Sequence, residues 1–175
     1  MEVVDQFLPE DDLRCIRARI MGSDFPWFFN DSVDYLPGHP GHDAANLDDY
    51  QFTHLFYLAR GEDGSPRGRL SLEMPLLLPL TRRLGIKRAV RIKANLNPRT
   101  ERRTQYHFHT DTSQHCWTAV YYLNTNNGLT VFEDGRTVES VENRIVIFDS
   151  SVRHTGTSCT DQKVRLVINL NFHRF

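Results

Sequence analysis

The chain has 175 residues, 39% hydrophobic and 25% charged, with a net charge of −1. That is enough for one globular domain with a sizeable core, and the composition excludes a disordered, fibrous or disulfide-stapled chain. Cys15, Cys116 and Cys159 are widely spaced, and their odd number argues against a disulfide framework and for a reducing compartment.

Met1–Asp5 lacks the basic and apolar regions of a signal peptide. The longest apolar run, Met74–Leu80, is interrupted by Pro75 and Pro79 and is too short to span a bilayer. A cytoplasmic protein with no membrane partner is therefore expected. Charge is segregated: residues 1–63 carry 13 acidic and 4 basic side chains, and residues 64–104 carry 11 basic and 2 acidic. Either these segments neutralise each other, or a basic rim draws in an anionic substrate.

In chain order, Pro9 followed by Glu10, Asp11 and Asp12 marks a helix start, with acids in its first turn. Leu13, Ile16 and Ile20 continue at helical spacing up to Gly22. Residues 24–50, rich in Asp, Pro, Gly and aromatics, read as an extended loop. Within it Phe25, Trp27, Phe28 and Phe29 form an aromatic cluster that either seals the core or caps a site, and His39 and His42 sit in a Gly/Pro-rich stretch. Gln51–Leu58, which includes His54, reads as a strand, Gly61–Gly68 as a turn, and Pro75–Leu84 as a second helix stopped by Gly85.

From Arg88 onward the texture is β. Short runs at 88–97, 105–111, 116–124, 129–133, 136–140, 144–148 and 163–173 alternate with turn signals such as Asn126-Asn127-Gly128 and Asp134-Gly135. The fold class is α+β, mainly β: a sandwich or barrel with amino-terminal helices on one face. A single domain over 1–175 is expected, with 1–87 as helical and loop support and 88–175 as the β core carrying the site.

The chemistry concentrates in Tyr106-His107-Phe108-His109-Thr110-Asp111. Residues two apart on a strand share a face, so His109 and Asp111 can reach one metal ion. His154, after the strand Arg144–Phe148, can return to the same point if the strands fold back antiparallel. Two histidines and one carboxylate leave about three positions of an octahedral iron open. Arg165, inside the apolar run Val164–Leu170, is a buried guanidinium in need of an anionic partner, and a carboxylate suits it.

With these residues the chain resembles the Fe(II)- and 2-oxoglutarate-dependent oxygenase superfamily, specifically its prolyl-hydroxylase-like branch. The resemblance is specific over 88–175 and loose before it. It implies a double-stranded β-helix (jelly roll), a dioxygenase activity, and Fe(II), 2-oxoglutarate and O2 as the reacting partners. It implies His109, Asp111 and His154 as catalytic metal ligands, Arg165 as the anchor of the distal carboxylate of 2-oxoglutarate, and Tyr122, on the strand 118–124, as a further cosubstrate contact. The implied reaction is hydroxylation of a prolyl residue in a protein or peptide. The alternatives are hydroxylation of a small metabolite such as a free amino acid, a keto-acid-independent cupin-like enzyme, and a non-catalytic β-helix binding module.

Two departures bear on substrate and cosubstrate. Related hydroxylases carry a tyrosine where this chain has Asn97, before Pro98. Nucleic-acid demethylases of the superfamily carry a second arginine where this chain has Asn171, so nucleic acid is not the expected partner. His107, and the polar face made by Lys93 and Asn95, read either as pocket residues or as solvent-facing ones. Arg99, Arg102 and Arg103 make a basic loop that either grips an anionic substrate or is simply solvated. His115, in a polar turn, reads as solvated, and Trp117 as packing.

Overall fold

The computed structural model describes residues 1–33, 46–59 and 68–174. Its elements are β1 (Glu2–Val4), α1 (Glu10–Ile20), β2 (Phe28–Asn30), β3 (Gln51–Leu58), β4 (Arg69–Leu70), a 3-10 turn (Met74–Leu77) running into α2 (Leu78–Arg83), β5 (Arg88–Pro98), β6 (Trp117–Tyr122), β7 (Leu129–Phe132), β8 (Thr137–Glu139), β9 (Ile145–Asp149), β10 (His154–Gly156) and β11 (Val164–His173). The major sheet runs β1-β9-β6-β11-β5-β3-β2, with β4 paired to β3, and the minor sheet runs β10-β7-β8. Every named pair is antiparallel. The two sheets form the jelly roll, with the helices outside the major one.

Strand parity assigns each side chain to one of two interiors. On the helix side, Ile92 and Ala94 of β5, Ala119 and Tyr121 of β6, Ile145 and Ile147 of β9, and Leu166, Ile168, Leu170 and Phe172 of β11 pack with Leu13, Ile16, Ile20, Leu77, Leu80 and Leu84. Between the sheets, Val120, Tyr122, Phe132, Val138, Val146, Phe148 and Val167 make a second, smaller cluster. Both faces of the central strands are buried, which explains why their sequences read as continuous apolar runs. The exceptions on the inner face are polar: Arg91, Lys93 and Asn97 of β5 stand in register opposite Asn171, Asn169 and Arg165 of β11, and Asn95 stands opposite Val167.

The helix α1 buries Leu13, Ile16 and Ile20, as its spacing predicts, and Pro9 is its N-cap. Gly85, at φ +66, ends α2 in the left-handed region that favours glycine. Asn143, at φ 62, lies in the turn before β9. Its amide accepts from Leu8 N–H and donates to Leu8 C=O, each at 2.8 Å, and its backbone carbonyl accepts from Phe7 N–H at 2.8 Å. The amino-terminal segment is thus tied to the barrel. The residues before 88 supply more than helices, because β1 and β2 form the two edges of the major sheet and β3 adjoins β5.

One expected strand is not formed. Residues 105–111 pair with the minor sheet only at Gln105↔Thr157 and His109↔His154. Among the described residues no helix is long and apolar enough to cross a membrane.

Candidate active site

The polar inner faces of β5 and β11 line a cavity of about 330 Å³, closed on its other side by residues 106–111, Thr130 and His154–Gly156. This is near the small end of small-molecule sites, roughly 300–1,000 Å³.

His109 and His154 are brought together by backbone pairing. The N–H of each donates to the C=O of the other, at 2.9 and 3.0 Å. Their rings lie 5.1 Å apart. His109 Nδ1 is 3.0 Å from the His107 carbonyl, and His154 Nδ1 is 3.1 Å from the Val152 carbonyl. A carbonyl only accepts, so in each neutral ring Nδ1 carries the proton and the Nε2 lone pair is free. The ring of His154 also packs against Phe148, with centroids 4.7 Å apart, which restricts its rotation.

Asp111 completes the set. Its Oδ1 is 3.9 Å from His109 Nε2 and its Oδ2 is 3.8 Å from His154 Nε2. The three ligand atoms fall within 4.8 Å of one another. Burial favours the protonated form of Asp111, but the Arg91 guanidinium, then His154, His109 and the Asn171 amide, outweigh it and hold the carboxyl below its usual range. Burial pushes His154 down, against the pull of the Asp111 charge. An ionised carboxylate and a neutral buried imidazole are the protonation states a metal requires.

Arg91 is absent from the sequence reading of the site. Its Nη2 donates to Asp111 Oδ1 at 2.8 Å. Asn171, directly across the strand pair, donates to Asp111 Oδ2 at 3.3 Å and to Thr118 Oγ1 at 3.0 Å. The available signal was the alternation of polar residues along 91–97, which the sequence leaves open between solvent and pocket. The cavity wall is where they stand.

At the far end of the cavity, Arg165 is only 4% exposed. Its Nε donates to Ser140 Oγ at 3.0 Å and its Nη2 to Thr130 Oγ1 at 3.2 Å. No carboxylate pairs with it among the described residues, and burial pushes its pKa down. Its guanidinium also lies 5.8 Å from the centroid of the Tyr122 ring. A buried cation held by hydroxyls and a ring face, with no anion, is costly, and a ligand carboxylate would repay that cost. The backbone makes room for it: a Cβ at Gly156 would approach Arg165 Nη1 to 3.3 Å. Asn97, opposite Arg165 in register, has its Nδ2 buried without a hydrogen-bond partner among the described residues, as do Asn95 and Asn169 at Oδ1. All three line the cavity, so its wall holds polar atoms that a polar ligand would satisfy. The Tyr122 hydroxyl donates to Thr130 Oγ1 at 2.7 Å, and Tyr122 stands behind the wall rather than in it. Tyr106 does line the cavity. The donor set fits Fe(II), and the arginine end fits a dicarboxylate.

His107 and Lys93 also line the cavity. Arg99, Arg102 and Arg103 are exposed and lie outside it. Of the aromatic cluster, Phe25 is buried and Trp27 packs on the core, whereas Phe28 and Phe29 are exposed on the edge strand β2. His54 is buried between the Pro26 carbonyl and Ser71 Oγ, and His115 is exposed. His39 and His42, and most of the turn 61–68, lie outside the described residues.

Comparison with known proteins gives the same class. Residues 96–173 match the model of the 2OG-Fe(II) oxygenase superfamily, a span that contains His109, Asp111, His154 and Arg165. No curated protein matches the chain. Among solved structures, an oxidoreductase of the 2OG-Fe(II) oxygenase family from Burkholderia pseudomallei superposes with a TM-score of 0.62 at 14% identity, covering 94% of this chain and 78% of that one. A prolyl hydroxylase from Trichoplax adhaerens, in complex with a peptide fragment of the hypoxia inducible factor oxygen degradation domain, gives 0.60 at 12% identity, covering 98% and 82%. A prolyl-4-hydroxylase from Pseudomonas putida gives 0.56 at 19% identity, covering 99% and 92%. These three likenesses are likenesses of fold. The chain carries, within the matched span 96–173, the His-Asp-His site of the 2OG-Fe(II) oxygenase superfamily. It is an oxygenase whose cofactor is Fe(II) and whose cosubstrate is 2-oxoglutarate.

Proposed function

We propose that this oxygenase hydroxylates a residue carried on a peptide or protein, with a prolyl residue the first candidate. The observation behind this reading is the asymmetric exposure of the triad. The His109 side chain is 45% exposed, whereas those of Asp111 and His154 are 3% and 5% exposed. The metal end of the cavity therefore opens to solvent on the His109 side. A reacting carbon can arrive there on a chain far too large for the 330 Å³ interior, which the cosubstrate would occupy. Two of the structures with this fold are described as prolyl hydroxylases, one of them with a peptide bound. That supports the reading by analogy of fold.

His109, Asp111 and His154 would hold the iron, and Arg165, with Thr130 and Asn97 beside it, would hold the distal carboxylate. Bound Fe(II) and 2-oxoglutarate supply an oxidative decarboxylation that puts one oxygen atom of O2 into succinate and the other into the substrate. The protein would fix the cosubstrate between the metal and Arg165, and it keeps Asp111 ionised. Through Phe132, Phe148 and Val167 it backs the site with apolar surface that excludes water.

The test is incubation with Fe(II), 2-oxoglutarate and either proline-containing peptide pools or free amino acids, with mass detection of a product heavier by one oxygen. Hydroxylation of peptides alone is the expected result. Hydroxylation of free amino acids but not of peptides would overturn the reading in favour of a small-metabolite enzyme.

A further inference from the structure

We infer that Arg91 is a positioning residue for the metal ligand Asp111: by claiming Oδ1 it leaves the carboxylate one oxygen to offer the iron, and so keeps a coordination position open. The inference rests on the oxygenase assignment of the site. Asp111 comes from an irregular segment with no ladder to fix it, so its orientation must be set by side chains. Those side chains form a row across three adjacent strands. Arg91 of β5 is in register with Asn171 of β11, and Asn171 is in register with Thr118 of β6. Within the row, Arg91 Nε donates to Asn171 Oδ1 at 3.3 Å, and Asn171 Nδ2 donates to Thr118 at 3.0 Å.

The two carboxylate oxygens are held unequally. Oδ1 accepts a short, charge-assisted bond from Arg91 at 2.8 Å. Oδ2 accepts only a longer amide bond from Asn171 at 3.3 Å. Each oxygen faces one imidazole Nε2, Oδ1 that of His109 at 3.9 Å and Oδ2 that of His154 at 3.8 Å, so the difference between them lies in these hydrogen bonds. Charge-assisted bonds are about twice as strong as neutral ones. Oδ2 is therefore the oxygen released to a metal, and Oδ1 is the oxygen retained by the protein. The distinction matters because a keto acid chelating through two atoms, plus O2, needs every position the triad leaves. A carboxylate bound through both oxygens would take one of them. Arg91 has no structural need of this partner: its side chain is 20% exposed and can be hydrated.

The experiment compares wild type with Arg91→Gln and Arg91→Lys. Its readouts are the visible spectrum of the Co(II)-loaded protein, which reports coordination number, and anaerobic titration of the Fe(II) form with 2-oxoglutarate, followed by the metal-to-ligand charge-transfer band. Wild type should show the band. In Arg91→Gln, Co(II) should bind as tightly as in wild type or more tightly, with a changed ligand-field spectrum. The 2-oxoglutarate midpoint should rise at least tenfold, and Arg91→Lys should restore part of it. A wild-type-like Co(II) spectrum and a midpoint within twofold would overturn the inference. So would loss of Co(II) binding, which would make Arg91 a support for metal affinity instead. If Arg91→Gln does not fold, Arg91→Lys is judged by the same spectrum and midpoint. Absence of the band in wild type would overturn the oxygenase assignment, and this inference with it.

Discussion

A Cβ built on Gly128 would lie 2.5 Å from Cδ of Arg165, closer than real Cβ atoms come to anything. Gly128 is not among the glycines with positive φ, so it is required by proximity and not by backbone conformation. Gly128→Ala should displace the Arg165 side chain while leaving the metal ligands in place. The expected outcome is a rise of at least tenfold in the 2-oxoglutarate midpoint, on the order of 1.4 kcal/mol, with Fe(II) affinity unchanged. Titrating metal and cosubstrate separately checks it, and equal effects on both would contradict it.

Arg165 itself should stabilise nothing in the ligand-free protein. A buried cation without an anion carries a desolvation cost that hydroxyl partners offset only in part. Arg165→Met should leave the melting temperature of the metal-free form unchanged or raise it, corresponding to about 1–3 kcal/mol, and abolish the 2-oxoglutarate-dependent band. Calorimetry beside the anaerobic titration reads both. A large loss of stability would mean that the guanidinium is a structural strut.

The metal site should also make apo stability depend on pH. Burial holds the folded pKa of His154 below the ordinary value of 6.5, so the unfolded chain takes up a proton more readily. The stability contributed is present above the unfolded pKa and is lost as pH falls toward the folded one. Asp111, also lowered, adds a loss of the same sign in the carboxylate range. Without metal, the melting temperature should fall between about pH 7 and 5.5, and His154→Gln should flatten that slope. A slope unaffected by the substitution would assign it to other groups.

Asn143 tests the scaffold independently of the chemistry. Its side chain bonds both backbone groups of Leu8 and accepts from the Tyr121 hydroxyl at 2.8 Å. Asn143→Ala strands three buried groups and places at φ 62 a residue that tolerates the left-handed region less well than asparagine. A loss of about 3–5 kcal/mol is expected, from roughly 1–3 per stranded group with partial rehydration. Denaturant unfolding measures it, and metal affinity of the folded fraction should be unchanged.

The candidate metal ligands were legible because iron chemistry demands particular residue types, and His109, Asp111 and His154 carry those types at readable places in the chain. The helices and most strands were legible for a local reason: Leu13, Ile16 and Ile20 repeat at helical spacing, and β11 alternates inward and outward side chains. The segment 105–111 misled, because a β-like composition forms a strand only where a neighbour accepts its hydrogen bonds in series, and this segment meets its neighbours only at the isolated bridges Gln105↔Thr157 and His109↔His154. The convergence of the ligands then came from one reciprocal backbone pair, His109 with His154, and not from strand periodicity.

What the sequence determined by itself was the inventory: which groups could bind iron, which cation could hold a carboxylate, and which strands had one polar face. Which polar faces would meet was decided by tertiary structure. Asn97 faces Arg165 through strand register, whereas Arg91 reaches Asp111 and Tyr122 spends its hydroxyl on Thr130 across the interior, from positions that the register of the sheets sets. Register is set by the simultaneous packing of two cores on opposite faces of one sheet, a long-range condition that no local window of residues contains.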